Sequence, residues 1–332
     1  MSFVSFKFYV FIAAFILLYY LIPKKYRWIT VLSASVFFYI FNAGSLFLML
    51  LITAASTFFA ALRIEKINGI TSDTLTKKEL KAKKARKKRT VVALASLLNF
   101  GFLVTLKYKR LIIPGMQALV GIFGFEMKDF SSSLLMPLGI SFYTFQSIGY
   151  IVDVSRAEVK AQKNFLHYLT FVSFFPQIVQ GPISRYGDLE KQLIDGNDFD
   201  YRRTKFGLQL IVWGAFKKLV IADRAAIVVN TVFANYPEYK GKTLWLGLIF
   251  YALQIYADFS GGIDVARGVA QAIGVNLEEN FRRPYFATSV SDFWRRWHIT
   301  LGGWCRDYVF YPLSLSKPFG KLSKKTRKIF GN

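Results

Sequence analysis

The feature that most constrains the fold is a series of apolar runs whose lengths approach the roughly 20 residues that a helix needs to cross a bilayer. The first run occupies residues 3–22 and carries one charge, Lys7, whose long side chain can reach the membrane interface. No small-residue cleavage pattern follows it, and Pro23, Lys24 and Lys25 come next. We therefore interpret this run as a membrane anchor and not as a signal peptide.

Similar apolar runs recur along the chain, with 53% of the 332 residues hydrophobic. They occupy residues 28–41, 45–62, 91–106, 133–154, 165–179, 205–233 and 244–259. This content is too apolar for an ordinary soluble domain, and no internal repeat divides the chain. The pattern predicts an all-α integral membrane protein with a single multi-span domain over residues 1–332.

The basic residues lie mainly between the apolar runs and give the chain a net charge of +24. Their largest cluster lies in the polar segment 63–90, which we interpret as a cytoplasmic loop because basic loops stay on that side of the membrane. Counting back through the earlier runs places the N-terminus outside the cell. No recognition motif accompanies the charge, so we expect no nucleic-acid partner.

The topology between residues 91 and 125 is left open by the sequence. A simple crossing by residues 91–106 would place Lys107, Lys109 and Arg110 outside, against the positive-inside rule. The run is therefore either a half-crossing or an interfacial hairpin with residues 111–125.

Two later segments indicate broken or cavity-lining helices. The run 165–179 breaks at Gly181-Pro182, and irregular backbone at membrane depth must be buried in protein or line water. The residues Ser-Gly-Gly that follow Asp258 predict a bend whose backbone approaches another element closely. We expect Asp264 and Arg267 to pair at a spacing of three residues.

The run 205–233 carries four charged residues, Lys217, Lys218, Asp223 and Arg224. Charges in such a position fit an amphipathic interfacial helix or a helix facing a cavity better than a lipid-exposed helix. We expect Asp223 to reach Arg224 or a neighbouring helix.

The segment 291–308 combines tryptophans, arginines and one of the two histidines of the chain. If it is one helix beginning at an N-cap Ser291, Trp294 and His298 share a face, and Asp292 pairs with Arg295 or Arg296. His298 is then a neutral proton acceptor in apolar surroundings, or a structural histidine bonded to a carbonyl.

The other chemically reactive residues are sparse. His167 lies at the start of an apolar run, where we interpret it as structural. The two histidines lack ligand spacing, and the single cysteine, Cys305, excludes an intramolecular disulfide. We expect no metal site.

Three blocks of the sequence resemble the membrane-bound O-acyltransferase (MBOAT) family, and most closely its bacterial branch of alginate O-acetyltransferase-like and D-alanyl-lipoteichoic acid transfer proteins. The blocks are Pro137-Leu-Gly-Ile-Ser-Phe-Tyr-Thr-Phe-Gln146, Phe174-Phe-Pro-Gln-Ile-Val-Gln-Gly-Pro-Ile-Ser-Arg185, and Asp258-Phe-Ser-Gly through Asn280-Phe-Arg-Arg-Pro-Tyr285 to Phe293-Trp-Arg-Arg-Trp-His298. The resemblance implies a helical bundle in which re-entrant elements surround a central tunnel, where acyl groups meet hydroxyl acceptors.

The resemblance also implies an active site and partners. His298 matches the first active-site position of the family, and we expect Gln180, Arg185, Asp258, Trp294 and Trp297 to shape the tunnel. The implied reaction transfers an acetyl or D-alanyl group from a thioester, on an acyl carrier protein or acyl-CoA, to a cell-envelope or exported polysaccharide. The implied location is the bacterial inner membrane, and an extracellular acyltransferase is a further expected partner.

One departure from the family pattern concerns its second histidine, which lies further downstream in an apolar helix. No histidine follows His298 in this chain. We expect the chain to be truncated at its C-terminus, and the alternative is a degenerate, non-catalytic homologue. A transporter and a membrane scaffold for an extracellular acyltransferase are the competing functions.

Overall fold

The computed structural model describes residues 5–71, 76–122 and 135–316, together with residues 319, 320, 323 and 326. In these ranges the regular elements are helices, and the one bridge between extended residues joins Phe281 and Trp297. The α-helices are α1 (Phe6–Leu21), α2 (Arg27–Ala43), α3 (Phe47–Asn68), α4 (Lys77–Lys107), α5 (Lys109–Ile122), α6 (Ile140–Arg156), α7 (Phe165–Ser173), α8 (Phe175–Ile178), α9 (Tyr186–Ile194), α10 (Tyr201–Phe216), α11 (Asp223–Ala234), α12 (Lys242–Ala272), α13 (Val290–Arg296), α14 (Ile299–Cys305) and α15 (Tyr311–Ser314).

The chain forms two compact units. The first comprises Met1–Gly181 and Arg185–Leu277 and contains α1 to α12. The second comprises Pro182–Ser184 and Glu278–Asn332 and contains α13 to α15.

Long apolar helices confirm the all-α membrane fold. Among the described residues, three stretches are long and apolar enough to span a bilayer: Lys24–Asn68, Lys77–Lys107 and Lys242–Ala272. The shorter helix α1 is apolar over its whole length. The predicted runs 133–154, 111–125 and 3–22 each extend partly outside the described residues.

The described residues of the basic segment 63–90 are mostly helical, so the predicted loop between membrane spans contains the ends of two helices. Helix α3 continues to Asn68, and α4 begins at Lys77 behind a capping box in which Thr76 and Glu79 bond to each other's backbone N–H. The Lys- and Ala-rich sequence that follows has a high intrinsic helix propensity. Its placement on the cytoplasmic side stays a prediction.

Three tyrosines form a buried centre in the first unit. Tyr150 of α6 lies 4.6 Å, centroid to centroid, from both Tyr168 of α7 and Tyr186 of α9. Each hydroxyl is bonded: Tyr168 to Thr57, Tyr150 to the backbone N–H of Gln162, and Tyr186 to the Gln162 side chain. The buried rings and the hydrogen-bonded hydroxyl groups of these tyrosines together stabilise the packing of the helices.

The apolar run 165–179 is broken, as the two prolines and the glycine within residues 174–186 predict. Helix α7 ends at Ser173 and α8 is a single turn that ends at Ile178. A Cβ atom on Gly181 would overlap the backbone of Gln177, so only glycine fits where the chain leaves this turn. Re-entry into a membrane at this break stays a prediction.

Helix α12 runs without interruption through the position where the sequence predicted a bend, and that prediction was wrong. Ser260, Gly261 and Gly262 are buried inside this helix of 31 residues. The predicted close approach is present, because a Cβ on Gly214 would lie 2.5 Å from the carbonyl oxygen of Gly261. The glycines therefore permit backbone contact between α10 and α12 instead of breaking the helix.

Candidate functional site

A network of charged side chains connects α10 to α12 in the first unit. The Lys217 Nζ atom lies 2.6 Å from a carboxylate oxygen of Asp264 and donates to the Ser260 hydroxyl at 3.0 Å. The Lys217 and Asp264 side chains are only 11% and 14% exposed. The predicted pair of Asp264 with Arg267 is confirmed at 3.7 Å. Lys217 and Asp264 are thus directed inward, whereas Asp223 and Arg224 of the same run are exposed, and the choice between an interfacial and a cavity-facing helix stays a prediction.

A π-helical turn over Lys217–Ala222 places two consecutive lysines against α12. Lys218 pairs with Asp258 of α12 and, at 3.2 Å, with Asp223 at the start of α11. The partner of Asp223 is therefore Lys218 and not Arg224. Such wide turns frequently occur at functional sites.

Gln180, one of the predicted tunnel residues, packs against α12 one helical turn from Asp258, another of them. The Gln180 side-chain oxygen occupies the space that a Cβ on Gly262 would need, and Gly262 is one turn beyond Asp258 on the same helix face. Arg185 is the exposed N-cap residue of α9. These three residues belong to the first unit, whereas Trp294, Trp297 and His298 belong to the second.

The tryptophan-rich segment is two short helices and not the single helix that its periodicity predicted. Helix α13 ends at Arg296, and α14 begins at Ile299, with Ser289 instead of Ser291 as the N-cap of α13. His298 lies at the break with left-handed dihedral angles, φ 48° and ψ 52°. Non-glycine residues are uncommon in this region, although histidine occurs there more often than most. The predicted pair of Asp292 with Arg296 is confirmed at 2.9 Å.

Hydrogen bonds from the preceding segment hold the His298 backbone on both sides. Phe281 forms a bridge with Trp297, and the Ile299 N–H donates to the Asn280 carbonyl oxygen at 3.0 Å. The Asn280 side-chain oxygen accepts from the Thr300 N–H at 2.9 Å and from its hydroxyl at 2.7 Å. Asn280 and Thr300 are buried. These contacts stabilise the left-handed backbone conformation of His298. Residues held in such rarely populated conformations cluster at functional sites.

Trp297 is packed in the second unit, whereas Trp294 is exposed. The Trp297 ring stacks on Phe293 with centroids 5.5 Å apart and meets Phe281 edge-on at 4.9 Å. Trp294 is 61% exposed and contacts the edge of Phe293. Because the helix breaks at residue 297, Trp294 and His298 do not share one helical face as predicted.

The imidazole of His298 is half-buried, and its Nδ1 atom is shielded from solvent. Burial lowers the pKa of His298 to about 4 because it penalises the charged form. The ring is therefore neutral at pH 7, which is the protonation state predicted from its apolar surroundings. In this state one ring nitrogen is a donor and the other an acceptor.

Sequence reasoning missed Asn280 and Thr300, the two side chains that fix the His298 backbone. The sequence around Asn280 gave little indication of this role, because an asparagine shortly before two arginines and a proline is typical of an ordinary turn. Sequence reasoning also left Lys217 without its partner Asp264. A lysine within an apolar run requires an opposite charge nearby, so this pair could have been sought.

The comparisons with known proteins place the chain in a family. The sequence model of MBOAT, the membrane-bound O-acyltransferase family, matches residues 2–329, and the chain belongs to this family. It is 33% identical over 307 residues to the probable alginate O-acetylase AlgI of Azotobacter vinelandii. The matched region covers 92% of this chain and 58% of that protein.

Two further relatives carry other names. The chain is 33% identical over 264 residues to the peptidoglycan O-acetyltransferase of Helicobacter pylori, covering 64% of this chain and 50% of that protein. It is 33% identical over 186 residues to the teichoic acid D-alanyltransferase of Bacillus subtilis, covering 54% of this chain and 46% of that protein. The chain thus spans about half the length of the curated relatives that it matches.

Proposed function

We propose that the protein containing this chain is a membrane O-acyltransferase that moves an acetyl or D-alanyl group to hydroxyls of a cell-envelope or exported polysaccharide. Membership of the MBOAT family supports the reaction class. The names of the relatives, which act on alginate, peptidoglycan and teichoic acid, support the acceptor class. The observation that carries the proposal is the neutral His298 held at a helix break by Asn280 and Thr300.

The proposed reaction is a transesterification without change of oxidation state. The acceptor hydroxyl oxygen bonds to the acyl carbonyl carbon, the carbon–sulfur bond of a thioester donor breaks, and the hydroxyl proton ends on the released thiol. We assign the donor to an acyl carrier protein or acyl-CoA. During the attack, negative charge develops on the carbonyl oxygen.

We assign to His298 the stabilisation of this developing charge, or the orientation of the donor carbonyl, through its ring N–H. A histidine whose pKa is about 4 is a weak base at neutral pH, so hydrogen-bond donation suits it better than proton removal. Loss of one such donor typically costs about 2.7–4 kcal/mol of transition-state stabilisation. Gln180, Arg185, Asp258, Trp294 and Trp297 remain our proposed tunnel residues, in a protein of the bacterial inner membrane whose N-terminus is external and whose segment 63–90 is cytoplasmic.

The test is His298→Gln in the complete gene product that contains these 332 residues. We expect polysaccharide ester content in cells to fall by roughly 100-fold, the factor typical of a lost oxyanion donor. The abundance of the protein in membranes should not change. His167→Gln is the matched control, since that histidine packs against Trp28 in the first unit, 4.6 Å between ring centroids. If His298→Gln is equally abundant and ester formation is unchanged, His298 has no role in acyl transfer. That result would favour a protein that docks beside another acyltransferase.

A further inference from the structure

A groove of about 420 Å³ lies between the end of α3 and the first half of α4. Its lining residues are Arg63, Ile67, Lys83, Arg86, Lys87, Thr90 and Val91. The α4 residues recur at the spacing i, i+3, i+4, i+7 and i+8, and the two α3 residues at i and i+4, so each set forms one helix face. The groove is therefore built by two regular helix surfaces and not by loops.

Four of these seven residues are cationic, and their charges are not neutralised by the described part of the chain. Arg63, Lys83, Arg86 and Lys87 are exposed, and none of them makes an ion pair or side-chain hydrogen bond with a described residue. Like charges gathered in one groove repel one another. An anionic ligand would remove this repulsion.

The neighbouring lysines of the same helix behave differently. Lys84 donates to the Asn68 carbonyl oxygen at 2.8 Å, and Lys88 donates to the Ser155 carbonyl oxygen at 2.5 Å. These two side chains attach α4 to the ends of α3 and α6. Lys84 and Lys88 thus bind this chain, whereas Lys83, Arg86 and Lys87 of the same helix face the groove.

The groove lies where both helices change from polar to apolar sequence. In α4, the N-terminal cluster of basic residues ends at Arg89, and residues 91–106 carry no charge. In α3, residues 47–62 carry no charge, and Arg63 is the first charged residue. For two candidate spanning helices, this level corresponds to the boundary between hydrocarbon and headgroups. Ile67 and Val91 add an apolar floor beside the cations.

We propose that this groove binds the phosphate-bearing headgroup of an anionic phospholipid. The guanidinium groups of Arg63 and Arg86 suit bidentate contact with phosphate oxygens, and Lys83 and Lys87 add point charges. Ile67 and Val91 would contact the apolar part of the lipid next to the headgroup. This combination of cations and apolar floor at the membrane boundary favours a lipid over a soluble anion, and it does not depend on the acyltransferase proposal.

The test uses the purified protein, stripped of lipid in a neutral detergent, with phosphatidylglycerol and phosphatidylcholine of identical acyl chains as probes. Native mass spectrometry measures the bound lipid. We expect phosphatidylglycerol to bind at least tenfold more tightly than phosphatidylcholine. The variant Arg63→Gln/Arg86→Gln/Lys87→Gln should lose this preference, and the single variant Arg86→Gln should weaken it.

The matched control removes the same number of charges outside the groove. Lys78→Gln/Lys81→Gln/Arg89→Gln changes exposed residues of α4 that do not line it, and it should keep the preference. Equal loss in both triple variants would overturn the proposal, because it would mean non-specific attraction. Displacement of phosphatidylglycerol by equimolar inorganic phosphate would also overturn it, since the ligand would then be a soluble anion.

Discussion

Two helix pairs of the first unit differ in whether their cationic side chains have carboxylate partners within the chain. Between α10 and α12, Lys217 and Lys218 lie against carboxylates that the chain itself supplies. Between α3 and α4, the cations that line the groove have no carboxylate partner within the described residues. The comparison shows that the location of a charge decides its role. A buried cation needs an internal partner, whereas a cation at the membrane boundary is available for an external one.

The largest effect should come from breaking the buried pair with Lys217→Met. Removing one partner leaves the Asp264 carboxylate buried without its main counter-ion, and this typically costs about 3–5 kcal/mol. The free energy of unfolding of the detergent-solubilised protein, measured by denaturant titration, checks this expectation.

The double variant Lys217→Met/Asp264→Leu is the control for that prediction. It removes both charges together, so most of the lost stability should return. If the single variant loses less than about 1 kcal/mol, the pair is not desolvated and the contrast with the groove disappears.

Asn280→Ala tests whether buried neutral polar groups of the second unit also need their internal partner. The variant leaves the buried Thr300 N–H and hydroxyl without their acceptor, so we expect a loss of about 2–3 kcal/mol. Denaturant titration gives this value, and acylation by the complete protein should fall in parallel because His298 loses its backbone support. Asn280→Asp keeps the acceptor oxygen and should retain more stability; equal losses would contradict the hydrogen-bond explanation.

His298 shows a third way to bury a titratable group, which is to keep it neutral. Its pKa is lowered to about 4 in the folded protein from an ordinary value of 6.5. Between these pH values the unfolded chain binds a proton that the folded chain does not, so acidification from pH 6.5 towards 4 removes stability. His298→Gln lacks this contribution and should lose less stability over that range. Melting curves from pH 7 to pH 4 measure the difference, and parallel loss in both proteins would refute it.

The groove should show a small effect of opposite sign in detergent without lipid. Here Arg63→Gln/Arg86→Gln/Lys87→Gln relieves repulsion among exposed cations, so the melting temperature should stay constant or rise slightly. Added salt should stabilise the wild-type protein more than this variant, because salt screens exposed charges. A clear loss of stability in the variant would mean that these residues have structural partners, as Lys217 does.

The smallest effect is expected at the exposed pair of Lys24 and Asp198. Their side chains are 49% and 79% exposed although the charged atoms lie 2.7 Å apart. Exposed pairs of this kind contribute little. Lys24→Gln should leave the melting temperature unchanged within error, which would confirm that burial, and not the short distance, explains the sensitivity of Lys217.

The membrane fold was predictable from the sequence because the lengths of apolar runs depend only on local composition. The exact helices were less predictable. The bend expected after Asp258 is absent because Gly261 and Gly262 pack against α10 and Gln180, and a contact between distant segments replaces the local preference of glycine. The helix that begins at Lys77 within the basic segment 63–90 was not predicted, although Thr76 and Glu79 form a capping box there.

Local features around His298 were predictable from the sequence, but the backbone shape at this residue was not. The neutral state of His298 followed from the sequence, and so did the Asp292–Arg296 pair. The helix break did not, since it depends on Asn280, which lies 18 residues before His298 and is brought beside it only by folding. Periodicity within 291–308 carries no information about an acceptor supplied from outside that segment.

The π-helical turn at Lys217–Ala222 has a consequence for how the chain can vary. A turn closed by i→i+5 hydrogen bonds contains one residue more than a regular α-helical turn, so it is equivalent to a single inserted residue. Deleting that residue would restore a uniform helix from α10 through α11 with the buried faces of both kept in register. The two lysines would then no longer both point at α12. A length change of one codon can therefore remove the charged network while leaving the helix intact.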